Sequence, residues 1–187
     1  MSTQASVTKS DMAALSQSDI RRLLEALNTE LRDWESEGEL YLVGGAVMCL
    51  AYNARPSTAD VDAYFKPAED VRRAAARVAV KMNVSADWLN DGVKGFLSER
   101  ADFTPFLELS NLRVLVAQPR YLLAMKCLAM RIGAEFHDED DVRFLLRLLN
   151  IERYDEAIAI VSNYYPMDRI PQKTLFALEE LLPIGKS

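Results

Sequence analysis

Residues 40–65, LYLVGGAVMCLAYNARPSTADVDAYF, change hydrophobic period twice in a short span. LYLVG (40–44) is an apolar run of strand length, and Gly44-Gly45 interrupts it. GAVMCLAYN (45–53) reads as a helix that must stop before Pro56. ADVDAYF (59–65) alternates, so it reads as a strand with one buried face. Asp60, Asp62 and Tyr64 then point one way, and Val61, Ala63 and Phe65 the other. This succession calls for a sheet with helices packed on it.

The rest of the chain extends that pattern. Ile20, Leu23, Leu24, Leu27, Leu31 and Trp34 recur at spacings of three and four, giving an amphipathic helix with Ser18 as candidate N-cap and Gly38 near its end. PAEDVRRAAARVAVKM (67–82) is a helix with Pro67 in its first turn. FLEL (106–109) and LRVLVA (112–117), joined by Ser-Asn, read as a hairpin. Helices follow over 119–131 and 138–150, and two more over 153–182, separated near Pro166 and Pro171. The expected class is α+β, or more loosely α/β. A small mixed sheet flanked by helices spans 18–118, a helical region (119–187) packs on it, and 1–17 form an irregular polar tail.

Composition narrows the setting. At 187 residues, half of them apolar, the chain has the make-up of an ordinary globular domain. It has no run of 18 apolar residues, and no basic then apolar leader opens it, so neither a membrane span nor a secretory signal is expected. Cys49 and Cys127 sit in apolar helical patterns, as reduced thiols would in a cytoplasmic protein. His137 is the single histidine, and no zinc spacing occurs. The net charge of −6 argues against an autonomous nucleic-acid binder. Residues 1–60, 61–136 and 137–187 carry −4, +2 and −4, so the basic excess follows the aspartate pair and leaves room for an anionic ligand there.

Two carboxylates about 7 Å apart on one strand face repel each other. A divalent cation relieves that repulsion, because carboxylate oxygens are the ligands Mg²⁺ prefers; an exposed edge face is the alternative. The spacing lacks the glycine and later glutamate of a calcium loop. Gly44-Gly45, where a strand gives way to a helix, either lets a phosphate approach the backbone or simply makes a tight turn. Neither this pair nor the terminal Gly-Lys-Ser (185–187) forms a P-loop.

Together these stretches resemble the polymerase-β-like nucleotidyltransferase superfamily, and in particular minimal bacterial members grouped with AbiEii-type toxin components. The resemblance is carried by LVGGAVMCLAY, RPSTADVDAYF, ADWLND, RVLVAQPRYLLAMKCLAMR and DEDDVRFLLRLL, spread over residues 40–150. It implies Mg²⁺- or Mn²⁺-dependent transfer of a nucleoside monophosphate from an NTP. The acceptor it favours is a tRNA 3′ end or another RNA, and a cognate antitoxin is an implied partner. By the same resemblance Gly44 and Gly45 hold the triphosphate, and Asp60 and Asp62 bind metal. A third carboxylate comes from a neighbouring strand, for which Glu108 is the candidate, with Asp102 behind it; Glu108 is otherwise a solvent-facing residue of an edge strand. Lys126 meets phosphate or else snorkels from its helix. Asp141 is a functional aspartate or else, with Asp138, complements a helix dipole. Arg131 is a candidate partner of Asp141, and Arg55 and Ser57 are candidate phosphate contacts or turn caps. Trp88 and Asn90 belong to the same pattern, with packing and turn formation as their physical roles. Two rival functions stand beside this one: a non-catalytic binding or regulatory module on the same fold, and a small-molecule nucleotidyltransferase of the antibiotic-modifying kind.

Overall fold

The computed structural model describes residues 14–131 and 137–182. Helix α1 (Gln17–Asp33) is capped by Ser16, not Ser18. The Ser16 hydroxyl accepts the Asp19 N–H at 3.2 Å, and the Asp19 carboxylate accepts the Ser16 N–H at 2.9 Å. This reciprocal box needs an acidic side chain three residues after the cap; Ser16 has Asp19 there, whereas Ser18 has Arg21. Leu15–Ser16 form a short strand, β1, antiparallel to β3 (Ser57–Thr58). The irregular tail expected over 1–17 therefore gives way to ordered structure before α1; residues 1–13 lie outside the described residues.

A five-stranded mixed sheet forms the centre, in the order β5-β4-β2-β7-β6. β2 (Gly38–Leu42) runs antiparallel to β4 (Val61–Lys66) and parallel to β7 (Leu112–Ala117). β6 (Phe103–Glu108) makes the expected antiparallel hairpin with β7 and starts three residues earlier than the apolar run FLEL. β5 (Leu89–Asn90) is parallel to β4 on the far side. The α+β class follows directly from this sheet and the seven helices among the described residues.

β4 alternates as its sequence requires: Val61, Ala63 and Phe65 are buried, while Asp62 and Tyr64 are half-buried. The apolar face is covered by α1 and α3 (Ala68–Met82), which pack on each other and bury Leu23, Leu27, Val71 and Val78. Across the other face the rings of Tyr64, Tyr41, Phe103, Tyr121 and Tyr164 follow one another at centroid distances of 5.1 to 5.8 Å. That row connects the sheet to α4 (Pro119–Ala129) and α6 (Tyr154–Tyr164). α5 (Asp138–Leu148) also packs on α4, and α7 (Gln172–Leu181) on α6. One hydrophobic cluster runs from Leu15 to Leu182, so sheet and C-terminal helices share a core. No helix among the described residues is long and apolar enough to cross a membrane.

Trp88 is fully buried and fixes β5. Its indole N–H donates to the Ala75 carbonyl of α3 at 3.0 Å, and its own carbonyl accepts the Val61 N–H at 2.7 Å. Trp88→Ala removes a large core side chain and its hydrogen bond to the Ala75 carbonyl. It should lower unfolding stability by about 3–5 kcal/mol in a urea titration.

Candidate functional site

The last rung of β2 against β4 is the Val43 N–H donating to the Asp62 carbonyl at 3.0 Å. The next residue, Gly44, turns the chain at φ +64° into α2 (Gly44–Leu50). That left-handed angle suits glycine. The turn lies against the aspartate: a Cβ placed on Gly44 would stand 3.0 Å from Asp62 Oδ2. A Cβ on Gly45 would stand 2.5 Å from Thr58 Oγ1 and 2.9 Å from Arg55 Nη2. Both glycines thus leave bare backbone where side chains converge. The helix that follows is only seven residues long, so what the turn offers an anion is its backbone N–H groups rather than a macrodipole.

These residues line one cleft of about 830 Å³. Gly44, Gly45, Arg55, Ser57, Asp60, Asp62, Lys126 and Arg131 all contribute to its wall, so eight of the residues singled out in the sequence meet there. Asp141 sits behind that wall as a buried anchor. Its carboxylate accepts from Arg55 at 2.6 Å and from Lys126 at 2.7 Å. Lys126 is 11% exposed and also reaches Asp138 at 3.2 Å, so it points into the protein's charged centre and does not snorkel. Arg131 pairs with Asp138, not Asp141, at 2.8 Å through its guanidinium and 3.1 Å through its backbone N–H. Both aspartates stand in the first turn of α5, one helix turn apart, and both also meet Lys126 of α4. The N–H on Arg55 Nε is buried without a hydrogen-bond partner among the described residues.

Glu108 does not join this group. It ends the edge strand β6 in register with Arg113, level with Glu39 and Lys66 at the other end of the sheet. That is about 13 Å along the strands and three strand spacings, about 14 Å, across from Asp62. It is exposed, as an edge-strand glutamate facing solvent would be. Asp102 is exposed as well and does not line the cleft. β4 lies between β2 and β5, and the residue that β5 sets in register with Asp62 is Asn90. Asn90 donates from Nδ2 to Asp60 Oδ2 at 3.3 Å. On this side the pair is met by an amide, and the expected third carboxylate, Glu108, stands at the far end of the sheet.

The sequence reading missed Asn90, Thr58, Asp138 and Phe96 as parts of the cleft or its support. Asn90 and Thr58 sit on two-residue strands, too short to show a period. Asp138 differs from Asp141 only in its second partner, Arg131 in place of Arg55, and both partners lie outside the pattern of α5.

Among the described residues no three His, Cys, Asp or Glu side chains converge as a self-sufficient metal site. Two adjacent carboxylates do fit Mg²⁺, which is commonly held by one or two carboxylates together with substrate phosphates. No family model, curated protein or solved structure matches the chain.

The buried thiols take no part: Cys127, inside α4, has its pKa pushed up to about 12 by burial and stays protonated. Charge matters more at Asp138. Burial opposes its ionisation, but the Arg131 hydrogen bond and the Lys126 ammonium outweigh it and hold the carboxyl below its ordinary pKa. Its folded-state pKa being depressed, the stability it contributes is present above the unfolded carboxylate pKa of about 3.9 and is lost as pH falls through and below it. Thermal midpoints measured from pH 6 downward should fall for the wild type and fall less steeply for Asp138→Asn. Lys126→Met leaves Asp138 and Asp141 each with one cation instead of two. Urea unfolding at pH 7 should show a loss of about 2 kcal/mol, where a snorkelling lysine would cost almost nothing.

Proposed function

We propose that the chain is a nucleotidyltransferase of the polymerase-β-like kind, moving a nucleoside monophosphate from an NTP to an acceptor hydroxyl. The observation that carries this reading is the contact between a glycine turn of positive φ and the carboxylate of Asp62, with Asp60 beside it. A bare backbone turn against paired carboxylates suits a triphosphate: the turn's N–H groups meet phosphate oxygen, and the carboxylates face the same phosphates through a cation. Asp60 and Asp62 would hold Mg²⁺, which when bound supplies charge neutralisation on the phosphates.

The chain's own cations do the rest. Arg55, against Gly45, and Lys126, at the cleft wall, are placed to meet non-bridging phosphate oxygens. Asp141 orients both and keeps them from collapsing onto Asp60 and Asp62. The acceptor oxygen attacks the α-phosphorus, the bond to the bridging oxygen of the β-phosphate breaks, pyrophosphate leaves, and the hydroxyl proton passes to solvent. The resemblance to AbiEii-type components favours an RNA 3′ hydroxyl, with tRNA first, as the acceptor. A second reading is favoured by the distance of Glu108 from the aspartates, which have an amide, Asn90, beside them instead: a module that binds nucleotide without transferring it.

Incubation with each α-labelled NTP, Mg²⁺ and total tRNA, resolved on a denaturing gel, tests the proposal. Labelled RNA should form, and Asp62→Ala should reduce it by about a hundredfold or more, the scale on which one preorganised electrostatic contact affects turnover. Chelating Mg²⁺ from the wild type should have the same effect. A wild type that is stabilised by Mg²⁺-NTP in a thermal melt yet labels no acceptor would establish the binding module instead.

A further inference from the structure

Four large apolar side chains are exposed among the described residues, and three of them, Val80, Leu148 and Phe176, lie away from the cleft. The fourth, Phe96, lines it and stays 43% exposed. Phe96 ends the 3₁₀ turn Gly92–Phe96, which follows β5 and packs against α4. From α4, Ala129 and the nearly buried Met125 line the same cleft beside Lys126, which shares their helix face, with Leu122 fully buried beneath them. The cleft therefore combines charged groups, the aspartates, Arg55 and Lys126, with apolar ones that include an open aromatic ring.

The backbone around that ring is tied down by the C-terminal half. The Tyr165 hydroxyl, on a residue 1% exposed, donates to the Phe96 carbonyl at 2.6 Å. Arg169 reaches the Gly95 carbonyl at 3.4 Å. Two residues on, the Ser98 N–H donates to the Tyr121 hydroxyl at 3.0 Å and the Ser98 hydroxyl to the Tyr164 carbonyl at 2.6 Å. A phenyl ring held this way gains little for the core, since nearly half of it remains in water. It does present a flat face whose position is already fixed, which is what a stacking partner requires.

We propose that Phe96 is the stacking platform for the nucleobase of the bound NTP, with the Met125 side of α4 as the apolar wall of the base subsite. This rests on the nucleotidyltransferase reading of the cleft. The platform acts on the base, while the glycine turn and the charged groups act on the triphosphate. Because every base has a π-face, the ring contributes affinity without selecting among bases.

Calorimetric titration with each of the four NTPs and with inorganic tripolyphosphate, all with Mg²⁺, separates the two ends of the ligand. Phe96→Ala should weaken binding of the preferred NTP by about tenfold or more and leave tripolyphosphate binding unchanged, while Phe96→Tyr should bind as the wild type does. Phe96→Trp adds an optical readout: its fluorescence should be quenched by NTP and not by tripolyphosphate. Unchanged NTP affinity in Phe96→Ala overturns the platform while leaving the phosphate site standing. So does an equal loss for NTP and tripolyphosphate, and so does a Phe96→Trp protein that binds NTP without quenching. A wild type that binds neither ligand overturns the nucleotidyltransferase reading, and the platform with it.

Discussion

Everything at the cleft depends on where β2 stops pairing with β4. The Val43 N–H makes the final rung to the Asp62 carbonyl, and the chain then has to leave the sheet within one residue. Only a left-handed residue achieves that turn cheaply, and Gly44 supplies it. Because Asp62 belongs to the same rung, its side chain is committed to the space beside the turn. Val61 and Ala63 are committed to the opposite face by burial, so Asp62 cannot move to the core without turning the whole strand over.

The second constraint is electrostatic. Asp138 and Asp141 are nearly buried carboxylates, and ions in such places persist only when paired and hydrogen-bonded. Arg55 comes from the loop before β3, Lys126 from α4 and Arg131 from the residues after it; all three converge on the first turn of α5. The cluster thereby joins the helical half to the loop that leads into Asp60. Acidic residues in the first turn also suit the helix they start, so the arrangement satisfies local and tertiary demands together. The same pairing ties Arg55 and Lys126 to Asp141, while Arg131 also interacts with the charges of Asp60 and Asp62, so an anionic ligand entering the cleft meets both signs of charge.

Much of this was legible in the sequence, for identifiable reasons. Period-two alternation set the faces of β4, and a glycine pair between apolar runs marked the turn. Both are local signals, and the structure keeps them. What failed were inferences about partners. Glu108 sits in a strand with the right composition, but alternation does not say which end of a sheet a residue occupies or which strand is its neighbour; that depends on register with β7, set far away in the chain. Asn90 was given only packing and turn formation, and its place beside Asp60 stayed hidden because β5 is two residues long and held by Trp88 rather than by its own pattern. Ser18 lost to Ser16 because both serines, separated only by Gln17, precede an apolar stripe, and only the reciprocal bond with Asp19 decides between them. Arg131 went to Asp138 through a backbone N–H, a donor that no side-chain pattern displays.

The parallel pairing of β2 with β7 has a consequence for how the molecule is made. Gly38 sits beside Leu112, and Leu42 beside Val116, roughly 70 residues apart along the chain. The antiparallel pair β2–β4 spans only about 20 residues, so closing the central parallel pair is entropically dearer by about 1 kcal/mol. During synthesis α1, β2, α2, β4 and α3 have all left the ribosome before β7 does. The glycine turn and the aspartates can therefore come together early, on a half-built sheet whose β2 edge is still open. Until β7 arrives, that edge exposes unpaired backbone to any other extended chain. Docking of β7 closes the longer of the two loops onto β2, so it is the step at which slow folding and misassembly are to be expected.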